Sequence, residues 1–337
     1  MQILITGIAG FIGSYTAKKL VEAGHLVQGI DNFSNYYSVD YKKARVKDVL
    51  NPLQIDLIDL NIEDSSKVDK LIIKAKPDVV INLAAQAGVR LPIEETDKYV
   101  NSNLVGFSNV LRSTVNNKVP FFLYASSSSV YGDKAAIPYI ESEQNLHPTS
   151  FYGATKLANE LLTPTLIQNS STVARGLRFF TVYGPWGRPD MAYFRMIANA
   201  ISGAEFDFFG DGSVERDFTF IDDAVNSVMA LTTELQKRKP GYSDVVNLGG
   251  GRPLSMNYLL QTVSSISKNE VKFNRLNSNL NDAKKTMSDS KYIESLIGSK
   301  PSTKLEDGIA KTIEWALREE ISSNLHNWVK SVQLNAC

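Results

Sequence analysis

Six apolar runs of strand length, near residues 2–6, 26–30, 52–57, 78–83, 120–126 and 173–179, alternate with helix-like segments. Few architectures accept such a pattern. Strands that are apolar throughout must be covered on both faces, and the helices between them supply the cover. The expected fold class is therefore α/β, a doubly wound parallel sheet with a smaller C-terminal lobe. The stretch 11–24, FIGSYTAKKLVEAG, spaces Ile12, Tyr15 and Leu20 along one face and reaches Gly24, which predicts a helix with a glycine stop. Further helices are expected near 222–236, 256–267 and 305–319. Beyond about residue 180 the chain turns glycine-, proline- and charge-rich, as in YGPWGRPDM and FGDGSVERDF. The expected division is 1–180 for a cofactor-binding sheet, to which later segments return, and 181–337 mainly for a substrate lobe.

Composition narrows the function classes. A chain of 337 residues, 43% hydrophobic and 21% charged, can bury a large core. Its 36 basic residues balance 36 acidic ones, so no net field draws it to nucleic acid or an anionic membrane, and a pocket is the expected place to meet a substrate. The single cysteine, Cys337, excludes a disulfide framework or thiolate cluster within the chain. The histidines His25, His147 and His326 are scattered and suit surface or core roles better than a metal site, so no metal is expected. No run approaches the roughly 18 apolar residues of a membrane span, and Met1 leads into QILITG without a basic leader. A cytoplasmic enzyme is the expectation.

In LITGIAGFIGSYTAKKL the glycines Gly7, Gly10 and Gly13 fall between the first strand and the first helix. There a backbone must turn tightly and let a pyrophosphate approach the helix N-terminus, whose free N–H groups favour an anion. The second strand ends at Asp31, eighteen residues after Gly13. A carboxylate there accepts hydrogen bonds from both hydroxyls of an adenosine ribose and repels a 2′-phosphate, which selects NAD over NADP. A plain glycine turn with a surface Asp is the alternative. Asp56 and Leu57, expected to end the third strand, would meet the adenine. Leu83, Ala84, Ala85 and Gln86, ending the fourth, would let the dinucleotide lie close, although simple packing explains small residues there equally well. Phe11, Ile12, Asn32 and Asn103 complete the expected cofactor contacts.

Tyr152 and Lys156, in FYGATKLANELL, stand four apart and so share one helix face. A phenol with pKa near 10 is a poor base, and lowering it to about 7 takes roughly 4 kcal/mol, at about 1.4 kcal/mol per unit. A lysine ammonium and a positive nicotinamide ring could supply that together. Tyr152 would then take a proton from a sugar hydroxyl as hydride leaves the same carbon, with Ser127 bonding that oxygen.

Together TGIAGFIG, NLAAQAGVR, YASSSSVYG, YGATK, LRFFTVYGPWGRPDM and RDFTFIDD resemble the extended short-chain dehydrogenase/reductase family and, within it, the UDP-glucuronate 4-epimerases. The similarity runs from residue 1 to about 225 and weakens towards the C-terminus. It implies a Rossmann domain with tightly held NAD, a lobe for a UDP-sugar, and Tyr152, Lys156 and Ser127 in the catalytic roles. It further implies Arg216 at the diphosphate, Phe206, Asp207 and Phe208 at the uracil, and Gln86 and Arg90 among the substrate contacts. Near the C-terminus NLND (279–282) keeps only Asp282 of the family's usual phosphate-binding pattern. Helices 97–115 and 151–168 would pair two copies as a homodimer.

The serine run 126–129 separates the outcomes open to such a family. All begin with a ketone at C4. The 4,6-dehydratases carry an Asp–Glu pair in the corresponding turn and the decarboxylases a glutamate, whereas Ser128 and Ser129 can neither abstract a proton nor repel a carboxylate. A 4-keto uronate is a β-keto acid that loses CO₂ when its C5–C6 bond lies parallel to the carbonyl π-system. Ser128, Ser129 and Thr181 are expected to hold the carboxylate out of that alignment. Thr181 takes the place where the neutral-sugar epimerases usually have asparagine, and Arg188 could bring a charge to the same group. A polar turn capping a strand is the plain alternative for the serines, and an exposed salt bridge for Arg188. A UDP-glucose/galactose 4-epimerase, a decarboxylase, and an NAD-binding scaffold without turnover are the competing functions.

Overall fold

The strand order of the main sheet reverses beside the first strand, and that reversal places the site. The computed structural model describes residues 1–88, 91–277 and 283–332. Its strands are β1 (Gln2–Thr6), β2 (Leu26–Asp31), β3 (Asp56–Asp59), β4 (Val79–Asn82), β5 (Phe121–Ser127) and β6 (Val173–Phe179), followed by β7 (Thr181–Tyr183), β8 (Asp207–Phe209), β9 (Glu215–Phe220), β10 (Ser243–Leu248), β11 (Pro253–Ser255) and β12 (Asn274–Leu276). Seven form a sheet in the order β10-β6-β5-β4-β1-β2-β3, with every neighbouring pair parallel. Successive strands step outwards from β1 to β3, then resume on its other side at β4. A crevice opens outside the carboxyl ends of β1 and β4, where such sheets bind ligands.

Alternation within each strand feeds two cores. Val79, Ile81 and Leu123 face one layer with α1 (Phe11–Glu22), while Val80, Phe122 and Tyr124 face the other. The second layer is covered by α3 (Ser65–Ala75), by α5 (Phe107–Asn116) and by the end of α6 (Phe151–Ile167), after the short helices α2 (Val39–Arg45) and α4 (Asp97–Tyr99) earlier in the chain. From beyond residue 180, β10 extends the sheet past β6 and α8 (Ile221–Leu235) packs on α1. The remaining strands form a three-stranded sheet, β11-β9-β7, and a two-stranded one, β12-β8, beside α7 (Ala192–Ser202) and α9 (Met256–Ser267). No helix among the described residues is long and apolar enough to cross a membrane.

The first helix has the expected glycine stop, whereas one strand boundary differs from the expectation. The first helix stops at Glu22, because Gly24 turns left-handed at φ +83° and donates its N–H back to Val21. The third strand starts at Asp56, not near residue 52. Pro52 lies in a 3₁₀ turn (Asn51–Leu53), and Gln54 takes φ 53°, so the chain becomes extended only after the turn is complete.

Candidate active site

A cleft of about 1170 Å³ runs from the glycine turn after β1 to the two small sheets. At its first end Gly7 has φ +72°, and a Cβ there would lie 2.7 Å from the backbone nitrogen of Ala84. A Cβ on Gly13 would strike the carbonyl of Gly7. The turn therefore packs against β4 and against α1 only as glycine, and leaves the helix N-terminus, with no side-chain cap, facing the cleft. Asp31 ends β2 and accepts the N–H groups of Ala9 (3.0 Å) and Phe33 (2.8 Å). Burial raises its pKa, with Lys42 and those two N–H groups acting the other way. Phe11, Ile12, Gly10, Asn32, Leu83, Ala84, Ala85 and Gln86 also line this end.

Midway along the cleft, α6 presents a stripe of side chains one helical turn apart. Ser150 caps the helix by accepting the N–H of Gly153 at 3.0 Å. Tyr152 then faces the cleft, and Lys156 lies with Nζ 5.6 Å from its ring centroid, donating to the Ala125 carbonyl at 2.9 Å. Glu160, a turn further on, accepts Ser126 Oγ (2.5 Å) and both Nε and Nη2 of Arg178 (2.9 and 2.7 Å). The helix is thus fastened to β5 and β6. Burial brings the Lys156 ammonium down to about 8. The Tyr152 phenol is raised by burial, with Arg188 and the Ser127 hydroxyl pulling downwards.

The serines follow directly from β5. Ser127 Oγ accepts the N–H of Ser129 and donates to Ser129 Oγ, both at 3.1 Å, which closes a 3₁₀ turn over Ser128–Val130. Ser127, Ser128 and Ser129 line the cleft with Thr181, the first residue of β7. No carboxylate stands in that turn. The far end carries Phe206, Asp207, Phe208 and Arg216, whose Nη1 donates to the carbonyls of Glu215 and Ala283. Arg188 binds Asp190 through Nε (3.0 Å) and Nη2 (2.5 Å) inside the cleft. It is neither a surface ion pair nor a free cation.

The sequence profile of the NAD dependent epimerase/dehydratase family matches residues 3–249. The chain belongs to this family. A probable UDP-glucuronate 4-epimerase of Rhizobium meliloti is 36% identical over 331 residues, covering 94% of this chain and 96% of the relative. UDP-glucuronate 4-epimerase 4 of Arabidopsis thaliana is 37% identical over 330 residues, covering 94% and 75%. Among solved structures, UDP-glucuronic acid 4-epimerase from Bacillus cereus, in complex with UDP-glucuronic acid and NAD, superposes with a TM-score of 0.85 at 32% identity, covering 94% of this chain and 98% of that one.

NAD, the cofactor of an epimerase/dehydratase, fits what this chain offers. The glycine cradle, the exposed helix N-terminus and the carboxylate at the end of β2 supply the pyrophosphate and ribose contacts such a dinucleotide needs. Three expected contacts are corrected. Asp56 and Leu57 begin β3 instead of ending it: Asp56 accepts Gln28 Nε2 at 2.5 Å, away from the cleft, and it is Leu60 and Ile62 that line the cleft after this strand. Asn103 does not line the cleft. It is buried, with Oδ1 accepting the Gln86 N–H (2.8 Å) and Nδ2 donating to the Gln86 carbonyl and to Thr155, so it ties the end of β4 to α6. Arg90 and Asp282 lie outside the described residues. Tyr36, Asp190 and Tyr99 were not singled out from sequence, yet all line the cleft; the Arg-x-Asp spacing of GRPDM is the one local signal for Asp190.

Proposed function

We propose that this chain interconverts UDP-glucuronate and UDP-galacturonate by NAD-dependent epimerisation at C4, through a transient 4-ketone and without decarboxylation. One observation carries the proposal: a turn of three hydroxyls, Ser127–Ser129, lines the cleft directly beside Tyr152 and Lys156, where a dehydratase or decarboxylase would place carboxylates. The named relatives support the same substrate. The glycine turn Gly7–Gly13 and Asp31 would hold NAD, which would supply a hydride acceptor and donor for C4. Tyr152 accepts the proton of the C4 hydroxyl while Ser127 bonds that oxygen. Lys156, anchored on Ala125, contributes positive charge beside the phenol. Ser128, Ser129 and Thr181 hold the uronate carboxylate so that its bond to C5 stays out of line with the carbonyl π-system. Arg216 and the Phe206–Phe208 strand anchor UDP, about which the sugar swings to present its other face.

Incubation of the purified protein with UDP-glucuronate, without added cofactor, should yield UDP-galacturonate by NMR; a UDP-pentose as main product would overturn the proposal. Tyr152→Phe should abolish turnover and retain UDP binding. Ser128→Ala with Ser129→Ala should raise the UDP-pentose share, and an unchanged ratio would remove their assigned role.

The same proposal makes the protein a cytoplasmic homodimer. Leu161 (65% exposed), Leu162 and Leu166 on α6, with Val105 just before α5, present apolar surface that a second copy would cover. Leu161→Glu should shift sedimentation towards a monomer. A wild-type protein already monomeric at micromolar concentration would refute the pairing.

A further inference from the structure

Arg188 shares the cleft with its own counter-ion. Its Nε–H and Nη2–H reach the two oxygens of Asp190, and the hydroxyl of Tyr36 donates to Asp190 Oδ2 at 3.2 Å. The Asp190 side chain is 8% exposed and that of Arg188 25%, so the carboxylate is sealed while the guanidinium keeps an open edge. Among the described residues no hydrogen bond uses Nη1. Tyr36 is itself fixed: Gly88 has φ +89°, and the hydroxyl of Tyr36 sits where a Cβ on residue 88 would be. Burial, and then Asp190, keep that phenol protonated. It remains a donor.

We infer that Asp190, held by Tyr36, is a positioning residue that aims the free edge of Arg188 at the sugar and weakens that arginine's grip on a carboxylate. The inference rests on the proposal that the substrate is a uronate. A bare guanidinium would take a carboxylate bidentately through Nε and Nη2, its best-matched edge. Here Asp190 already occupies that edge and neutralises the charge, so the substrate is left with the outer nitrogens and a shared cation. The consequence bears on turnover. To present its second face, the 4-keto sugar must release its first set of contacts, and a grip made equally in the resting complex would only lower KM without speeding the step. A cation lent to the carboxylate, and returned to Asp190 when the sugar turns, orients the ring yet lets it go.

Steady-state kinetics of the full-length protein on UDP-glucuronate test this. Asp190→Asn keeps the shape and removes the charge. It should lower KM about fivefold and lower kcat about tenfold, with UDP affinity unchanged, because the carboxylate is now held too firmly. Asp190→Glu should restore much of kcat, and Tyr36→Phe should move both constants in the same directions by about twofold. A merely structural role would raise KM as kcat falls, in Asp190→Asn and Tyr36→Phe alike, and that result overturns the inference; so does no change in either constant. Arg188→Gln separates the two levels. If it leaves KM for UDP-glucuronate unaltered, no uronate is bound there and the underlying substrate contact fails as well. If it raises KM and Asp190→Asn raises it too, only the present inference fails.

Discussion

Two buried arginine–carboxylate pairs, whose arginines stand ten residues apart in sequence, do opposite work. Arg178 and Glu160 are 3% and 6% exposed, and every guanidinium nitrogen is engaged: Nε and Nη2 on Glu160, Nη1 on the hydroxyl of Tyr131 at 2.8 Å. Arg188 and Asp190 have the same bidentate geometry, but the arginine is a quarter exposed and opens onto the cleft. A pair closed on all sides can only hold elements together, here α6 to β5 and β6. A pair with one free edge can bind. Burial of the charges does not separate the two cases; the count of remaining donors does.

The sharpest break of this contrast is in stability. Arg178→Met leaves the buried Glu160 charge with only the Ser126 hydroxyl and no cation, and should cost about 3–5 kcal/mol in urea unfolding, most of it recovered when Glu160→Leu is added. Arg188→Met should cost roughly 1–2 kcal/mol, because Arg188 is the member of the pair that lies open to the cleft, so trimming it lets water reach the otherwise sealed Asp190, which also keeps the Tyr36 hydroxyl. Equal losses would show that the two pairs serve one purpose.

Lys156 extends the contrast to a cation that donates to a backbone carbonyl, that of Ala125. With its folded pKa drawn down to about 8 by burial, its charged form is disfavoured on folding. The penalty is full below that value and fades as pH rises towards the unfolded value of about 10.4. Lys156→Met should therefore raise stability at pH 7 by about 1–3 kcal/mol while lowering kcat on UDP-glucuronate at least ~100-fold. A variant less stable than wild type would contradict the pKa shift.

The smallest effect is expected at low pH. Burial raises the Asp190 carboxyl, but Arg188 outweighs it and holds the group below its ordinary value. A carboxylate depressed in this way adds stability above the unfolded pKa, about 4, that is lost as pH falls through the folded value. Below pH 4 the unfolding free energy of wild type should fall about 1 kcal/mol further than that of Asp190→Asn. Parallel curves would show that the pair contributes no such stability.

Features local in sequence were legible. The glycine turn, Asp31 at the end of β2, and Tyr152 with Lys156 each declare themselves within one strand-turn-helix or one helical turn. The start of β3 is hidden from the same local signals. An apolar run around Pro52 looks extended until Gln54 adopts a left-handed conformation, which moves the carboxyl end of the strand from Leu57 to Asp59. Asn103, expected among the cofactor contacts, instead works through the backbone of Gln86, and no periodicity encodes that contact. Arginines inside an apolar strand, such as Arg178 in β6, find their partners only in three dimensions. Tyr36 meets Asp190 across 154 residues, which no motif could announce.

The stripe Tyr152, Lys156, Glu160 has a consequence for how such chains can diverge. Its outer member must meet the ligand while its inner member is clamped between two strands, and an α-helix turns about 100° per residue. One residue inserted between 152 and 160 would swing the phenol a quarter of the way round the barrel of the helix with the clamp still shut. Surface loops of this molecule can lengthen freely; the interval between Tyr152 and its anchor at Glu160 is a fixed ruler.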